Sequence, residues 1–297
     1  MTVSSDGCNL EGLTFQGYSG AAVHLLSRKN RIENNVFEDA SPAILASGSE
    51  GNSINGNLIM NCQGGVALRD ASVNNSIDGN EITSCNISIF LGEADGNSII
   101  ENNISDAYWG IWLDNSSQVQ IEGNDIQSRS HGILLLNGSG LYVSDNLVMI
   151  DDAGNSTSRA SLLANVSDVV FQRNKIDGGE IGLAALDCQN TELLYNNITQ
   201  SNNAIYIQDA YGLNINNNSL IEGDYGIRVD NSSQNSIIGN LARDFVIALD
   251  IGAAEDNRIL KNQFVGITDA AMQITSSGNC KILENEFTDG FRGIMLI

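Results

Sequence analysis

The chain has 297 residues, with 14 lysines and arginines against 36 aspartates and glutamates and a formal net charge of −22. Such a field repels polyanions, and the densest basic patch, Arg28-Lys29-Asn30-Arg31, is too small to reverse it, so nucleic acid is excluded as a partner. No stretch of 18 apolar residues provides a transmembrane segment, and Met1-Thr2-Val3-Ser4-Ser5-Asp6 does not read as a signal peptide.

Short strands are expected from the N-terminus onward. Leu10 and Phe15 open the pattern as an apolar pair, with Leu13 between them. Twelve asparagines then recur almost evenly: Asn35, Asn57, Asn80, Asn102, Asn124, Asn146, Asn174, Asn196, Asn218, Asn240, Asn262 and Asn285. Each has an apolar residue three before it and another two after it, as Ile99 and Ile104 flank Asn102. Ten of the eleven intervals are 22 or 23 residues, and the exception is the 28 from Asn146 to Asn174. A second frame follows each asparagine, as in Gly110-Ile111-Trp112-Leu113, Gly132-Ile133-Leu134-Leu135 and Gly226-Ile227-Arg228-Val229. Apolar and variable residues alternate in both frames, the period of a strand with one buried face. Gly, Asn, Asp and Ser break the runs after three to five residues, leaving no room for helices.

A 22-residue repeat of short strands predicts an all-β solenoid: a single-stranded right-handed parallel β-helix of about thirteen coils. One domain is expected over residues 1–297. The asparagines are expected to form a ladder of amides from coil to coil, and to supply the left-handed backbone that a tight turn needs. Cys62 and Cys85 occupy equivalent places in adjacent coils, within disulfide reach or as stacked free thiols. Cys8 and Cys280 replace the asparagine found five residues before the ladder position and are expected to be buried. Both ends look cut, so the chain reads as a piece of a longer exported protein.

The Asn-x-Ile-x-x-Asn-x-Ile and Gly-Ile-x-Leu frames, for instance Asn75-Ser76-Ile77-Asp78-Gly79-Asn80-Glu81-Ile82, resemble the right-handed β-helix repeats of the pectin-lyase-like superfamily. Similarity is greatest to NosD-type and carbohydrate-binding/sugar-hydrolysis repeats, such as those of archaeal surface proteins, and it spans Asn9 to Ile297. The resemblance implies an extracellular or cell-surface module that binds or processes polysaccharide. A non-catalytic structural or adhesive stalk is the alternative, because such repeats serve both. Motifs of particular enzymes in the superfamily are missing: no Asn-Thr-Asp of polygalacturonases, no Asp-Pro-His of mannuronan epimerases. Copper binding, which NosD suggests, is not expected, since His24 and His131 lie five coils apart and the methionines are scattered.

Function must come from outward positions and from breaks in the repeat. The variable residue of the Gly-Ile-x-Leu strand gives one surface column: Leu45, Ala67, Phe90, Trp112, Leu134, Leu162, Ala184, Tyr206, Arg228, Asp250, Gln273 and Met295. Its middle is apolar and aromatic where a solvated face should be polar, the mark of a binding surface or of a face covered by another subunit. Phe90, Trp112 and Tyr206 are therefore candidate sugar platforms, with Tyr108 and Trp109 in the adjoining turn. Arg129 and His131 follow in the next coil, and the long insertion that begins near Asp151 and Asp152 comes after them. Asp151, Asp152, His131 and Arg129 are the candidate catalytic groups. Two aspartates suit a hydrolase as acid and base. Alternatively they hold Ca²⁺, the one cofactor the pattern offers, while an arginine neutralises a uronate for lyase chemistry. The bland reading is a solvated loop. Flat stacked faces also suit a homo-oligomer, a trimer along the rod.

Overall fold

In the computed structural model, residues 1–151 and 157–297 are described, and they fall into two compact units, Met1–Val148 and Met149–Ile297. Both are stacks of short parallel strands, and no helix occurs among the described residues. The β-solenoid turns number about thirteen, and within each unit the coils repeat one another in register.

In the first unit a coil begins with a three-residue strand such as Ser76–Asp78 or Ser98–Ile100. It turns at the ladder asparagine, runs through a second strand such as Glu81–Thr83, and ends on a longer third strand such as Ile87–Gly92. In the coils of Asn103–Asp114 and Asp125–Leu136 the last two strands merge into one. Every pairing is with the same strand of the next coil: Ile77 with Ile99, Ile82 with Ile104, Ile89 with Ile111. Like therefore stacks on like, and these side chains form apolar columns that are entirely or almost entirely buried. The glycine of the second frame is required by the neighbouring coil. A Cβ on Gly110 would lie 2.5 Å from the Gly132 carbonyl oxygen and 2.6 Å from the Ile126 side chain.

The second unit repeats the plan. Phe171, Leu193, Ile215, Ile237, Ile259 and Ile282 pair in one column, and Ile176, Ile198, Leu220, Ala242, Phe264 and Phe287 in another.

The ladder is present in both units. Nδ2 of Asn35, Asn57, Asn80, Asn102 and Asn124 donates to Oδ1 of the next asparagine at 2.9–3.1 Å. The same donation runs from Asn174 to Asn285 in the second unit, at 2.9–3.2 Å. Each amide does more than bridge its neighbour. Asn102 also donates to the Ile77 carbonyl of the preceding coil at 2.9 Å, and its Oδ1 accepts from the backbone N–H of Asn80. The bend between strands leaves backbone groups without sheet partners, and one side chain satisfies them on both sides.

The left-handed backbone falls elsewhere than expected. It belongs to the residue before each ladder asparagine: Asn34, Gly56, Gly79, Glu101, Gly123 and Asp145 in the first unit. Asparagine is required at the ladder for its amide, which donates and accepts at once. The turn itself tolerates glycine, asparagine and charged residues one position earlier. A second ladder, Asn30 to Asn52 to Asn75 to Asn97, runs through the first unit at 2.9–3.0 Å and gives way to Val119 and Leu141.

All five cysteines are free thiols. Cys62 and Cys85 are buried, and the hydrogen bond between them together with burial keeps the proton on Cys85. Burial pushes Cys188 up to about 12. Cys8 and Cys280 are half-exposed rather than buried, because each lies in a terminal coil with a neighbouring coil on one side only.

Asn102→Ala removes a buried amide and strands the Asn80 N–H and the Ile77 carbonyl. It is expected to destabilise the fold by roughly 2–4 kcal/mol in urea unfolding. The exposed neighbour Asn103→Ala should cost no more than about 0.5 kcal/mol. Equal unfolding midpoints for the two variants would show that the ladder is not structural.

Candidate functional site

In the first unit the outward column is in strict register: Leu45 pairs with Ala67, Ala67 with Phe90, Phe90 with Trp112 and Trp112 with Leu134. It is less exposed than a freely solvated face. Ala67 and Leu134 are 7% and 6% exposed, and Leu45, Phe90 and Trp112 are half-buried. Side chains one strand spacing apart cover each other, and the preceding turn folds over them. Trp109 packs edge-on to Trp112 at 4.9 Å between ring centroids, and Trp112 packs edge-on to Phe90 at 5.1 Å. Tyr108, 45% exposed, lies 5.7 Å from Trp109. The result is a packed aromatic ridge. It arises where the strand Asn103–Asp114 departs from regular pairing, with register shifts on both sides of Ala107.

Each indole N–H of Trp109 and Trp112 is buried without an acceptor among the described residues. Such donors ordinarily find partners, so the ridge carries unmet hydrogen-bonding capacity.

His131 pairs with Trp109 across the coils, with its ring 6.3 Å away and nearly perpendicular. Its Nδ1 is 2.8 Å from the Ser130 hydroxyl. Arg129 belongs to an ion pair: its guanidinium donates twice to Asp106 Oδ1, from Nε at 2.9 Å and from Nη2. Ser84 donates to the other carboxylate oxygen at 2.9 Å. The hydrogen bond from Arg129, supported by that from Ser84, holds the Asp106 carboxyl below its ordinary range. Asp106 has the left-handed conformation of a turn former, as its recurrence in the repeat implies, and it also occupies the arginine.

Next to the ridge lies a depression of about 460 Å³ lined by Pro42, Leu45, Gln63, Ala67, Arg69 and Phe90, among others. Phe90 belongs to both, so the ridge and the hollow are one continuous surface within the first unit. The hollow is not among the features read from the sequence. Its signal was present, as an alanine between Leu45 and Phe90 in a column of large side chains.

The remaining candidates lie in the second unit or outside the described residues. Tyr206 is half-buried, donates to Gln208 Oε1 at 2.8 Å and lies under the Arg228 guanidinium. Arg228 Nε is 3.1 Å from Asp230 and 3.9 Å from Asp250, and burial raises the Asp250 carboxyl despite that arginine. Asp151 is exposed, and Asp152 lies outside the described residues, as does most of the insertion. No group of three or more His, Cys, Asp or Glu side chains converges as a metal site among the described residues.

Sequence comparison places residues 2–148 in similarity to the family described as periplasmic copper-binding protein (NosD), and residues 160–297 to the right handed beta helix region. No curated protein matches the sequence. Among solved structures, the periplasmic alginate epimerase AlgG is similar with a TM-score of 0.62 and 12% identity, over 93% of this chain and 76% of that one. The A-module of Azotobacter vinelandii mannuronan C-5 epimerase AlgE4 gives 0.56 and 12%, over 100% and 86%. A mutant tailspike protein of E. coli bacteriophage HK620, in complex with a pentasaccharide, gives 0.66 and 10%, over 98% and 72%. At these identities the similarity is one of fold.

The Asp106–Arg129 pair has a definite pH signature. Its folded-state pKa is depressed, so its contribution to stability is present above the unfolded value and fades as pH falls through the folded one. Both side chains are about half exposed, which limits that contribution to no more than about 0.5 kcal/mol. Carboxyl NMR is expected to place the Asp106 midpoint below that of an ordinary aspartate, and Arg129→Ala to raise it. An unchanged midpoint in Arg129→Ala would mean that the pair does not form in solution.

Proposed function

We propose that this chain, a right-handed parallel β-helix of the pectin-lyase-like superfamily, is a polysaccharide-binding module whose ligand lies along the Phe90–Trp112 face of the first unit. The observation that carries the reading is the ridge itself. A solenoid core accounts for inward columns, yet Phe90, Trp109, Trp112 and Tyr108 gather on the outward side of two successive strands. The C–H faces of pyranose rings stack on such rings. Similarity of fold to an alginate epimerase, to a mannuronan C-5 epimerase and to a tailspike holding a pentasaccharide supports the reading by analogy. The matched family and these neighbours favour a location in the periplasm or outside the cell.

Binding is better supported than turnover. Arg129 is committed to Asp106, and His131 packs against Trp109. Hydrolase or lyase chemistry would rest on Asp151, Asp152, His131 and Arg129, and product analysis on any polysaccharide that binds tests it directly. Asp151→Asn and His131→Ala should then lower turnover while leaving the fold intact. The residues do not fit the copper named by the matched family. His24 Nε2 lies 3.2 Å from the Ser47 hydroxyl, His131 is placed against Ser130 and Trp109, and no ligand set converges among the described residues. Association into a trimer belongs to this proposal as well, and light scattering reads it.

A glycan array on the purified chain, followed by calorimetry, tests the reading. Trp112→Ala is expected to weaken binding at least tenfold. Lost ring contacts to Phe90 and Trp109 should cost about 1–3 kcal/mol of stability, leaving a folded protein. A blank array for the unmutated chain would overturn carbohydrate binding. Undiminished binding by Trp112→Ala would move the site off this face.

A further inference from the structure

Where the second strand of a coil gives way to the third, four small residues of the first unit stack in one column: Ala40, Cys62, Cys85 and Ala107. Backbone hydrogen bonds set the register. The Gln63 N–H donates to the Ala40 carbonyl at 3.0 Å, the Asn86 N–H to the Cys62 carbonyl at 3.1 Å, and the Tyr108 N–H to the Cys85 carbonyl at 3.2 Å. All four side chains are inside, none more than 3% exposed. The two cysteines are direct neighbours in adjacent coils, one strand spacing of about 4.8 Å apart. Disulfides span Cα separations of about 4.4–6.8 Å. No other cysteine is placed this way. Cys188 stacks between Val166 and Ala210, and Cys8 and Cys280 lie in terminal coils.

The two sulfurs are not equivalent. Cys62 Sγ accepts the hydrogen bond from the Cys85 thiol, and the Ala40 N–H points to it from 3.4 Å. Both donors favour a thiolate at Cys62. They outweigh burial and the nearby charges of Asp39 and Glu38, and they lower this thiol to about 7. When Cys62 is protonated, it donates to the Met60 carbonyl 3.2 Å away. Cys85 keeps its proton, because its bond to Cys62 and its burial both oppose ionisation. A sulfur that ionises near neutrality beside a protonated one suits an attacking and a resolving cysteine.

We propose that Cys62 and Cys85 form a peroxide-oxidisable dithiol, with Cys62 the attacking sulfur and Cys85 the resolving one. The Cys62 sulfur attacks one oxygen of a hydroperoxide and the O–O bond breaks. The leaving oxygen takes the proton that Cys62 has lost and departs as water or an alcohol, so Cys62 becomes a sulfenic acid. Cys85 then attacks the sulfenic sulfur, the S–O bond breaks, and the hydroxyl leaves as water with the Cys85 proton. Two electrons pass from the thiols to the hydroperoxide for each disulfide formed. Near-complete burial favours a small oxidant over a bulky disulfide, and Ala40 and Ala107 set no large side chain against either sulfur. Parallel strands keep the two Cβ atoms about 4.8 Å apart, against about 3.8 Å in a relaxed disulfide, so the crosslink is strained and readily reduced. The site is thus a reversible covalent tie between two coils, and it does not depend on the carbohydrate reading.

The test treats the full, reduced chain with hydrogen peroxide at neutral pH, followed by alkylation and peptide mapping. One equivalent is expected to link Cys62 to Cys85 while Cys188 stays a thiol, and dithiothreitol should restore both thiols. Cys85→Ala should accumulate a sulfenic acid at Cys62 that dimedone traps. Cys62→Ala should slow oxidation of Cys85 at least tenfold. Alanine already fills this column on both sides, so each variant should fold, and circular dichroism checks it. The map of the unmutated chain decides the crosslink whether or not they do. Free thiols at both positions after excess peroxide, a sulfinic acid at Cys62 without a crosslink, or a crosslink through other cysteines overturns the proposal. Undiminished oxidation of Cys85 in Cys62→Ala also overturns it, since Cys62 would not be the attacking sulfur.

Discussion

The structure depends on one repeated interaction: a buried asparagine amide that hydrogen-bonds to the coils on both sides of its own. A short-strand solenoid has a weak point at every corner, where the backbone leaves the sheet and its polar groups lose their partners. The ladder satisfies these groups in both units with the same atoms each time. Asn102 reaches Ile77 in one coil and Asn124 in another, while its oxygen receives both donors of Asn80. An aspartate would lack the donors and a leucine both functions. In the first coil, Leu13 occupies the ladder position. Its N–H still donates to Asn35, but its own side chain is 42% exposed.

Strict register has a consequence for function. Identical corners force identical positions, so any outward residue lies directly beside its counterparts in the adjacent coils. Aromatic residues spaced 22 apart in sequence become neighbours at ring-contact distance, as Phe90 and Trp112 do. A functional surface can therefore be assembled by substitution at outward positions without altering the fold. The same regularity makes a small residue conspicuous, since Ala67 stands between Leu45 and Phe90 where the hollow opens.

The sequence disclosed the architecture well, because the ladder and the columns are set by periodicity alone. It located the aromatic face for the same reason. It misplaced the left-handed residue by one position, since asparagine's tolerance of that conformation concealed its more demanding role as a two-way hydrogen-bonding group. It also overstated the exposure of the column: alternation assigns a face to Leu134 but cannot show that neighbouring side chains cover it. Arg129 looked available in sequence because Asp106, 23 residues earlier, becomes its partner only once the coils stack. The Arg69–Phe90 contact was hidden similarly, as it joins residues from adjacent coils.

Both tryptophans of the chain, Trp109 and Trp112, belong to the proposed binding face. Tryptophan emission, excited selectively over the seven tyrosines, therefore reports on this surface. Titration with a glycan that binds by calorimetry should change the emission saturably, with the same midpoint as the heat and a shift to shorter wavelength as sugar displaces water from the rings. Binding heat without any change in tryptophan emission would contradict the account, because the ligand would then lie on another face.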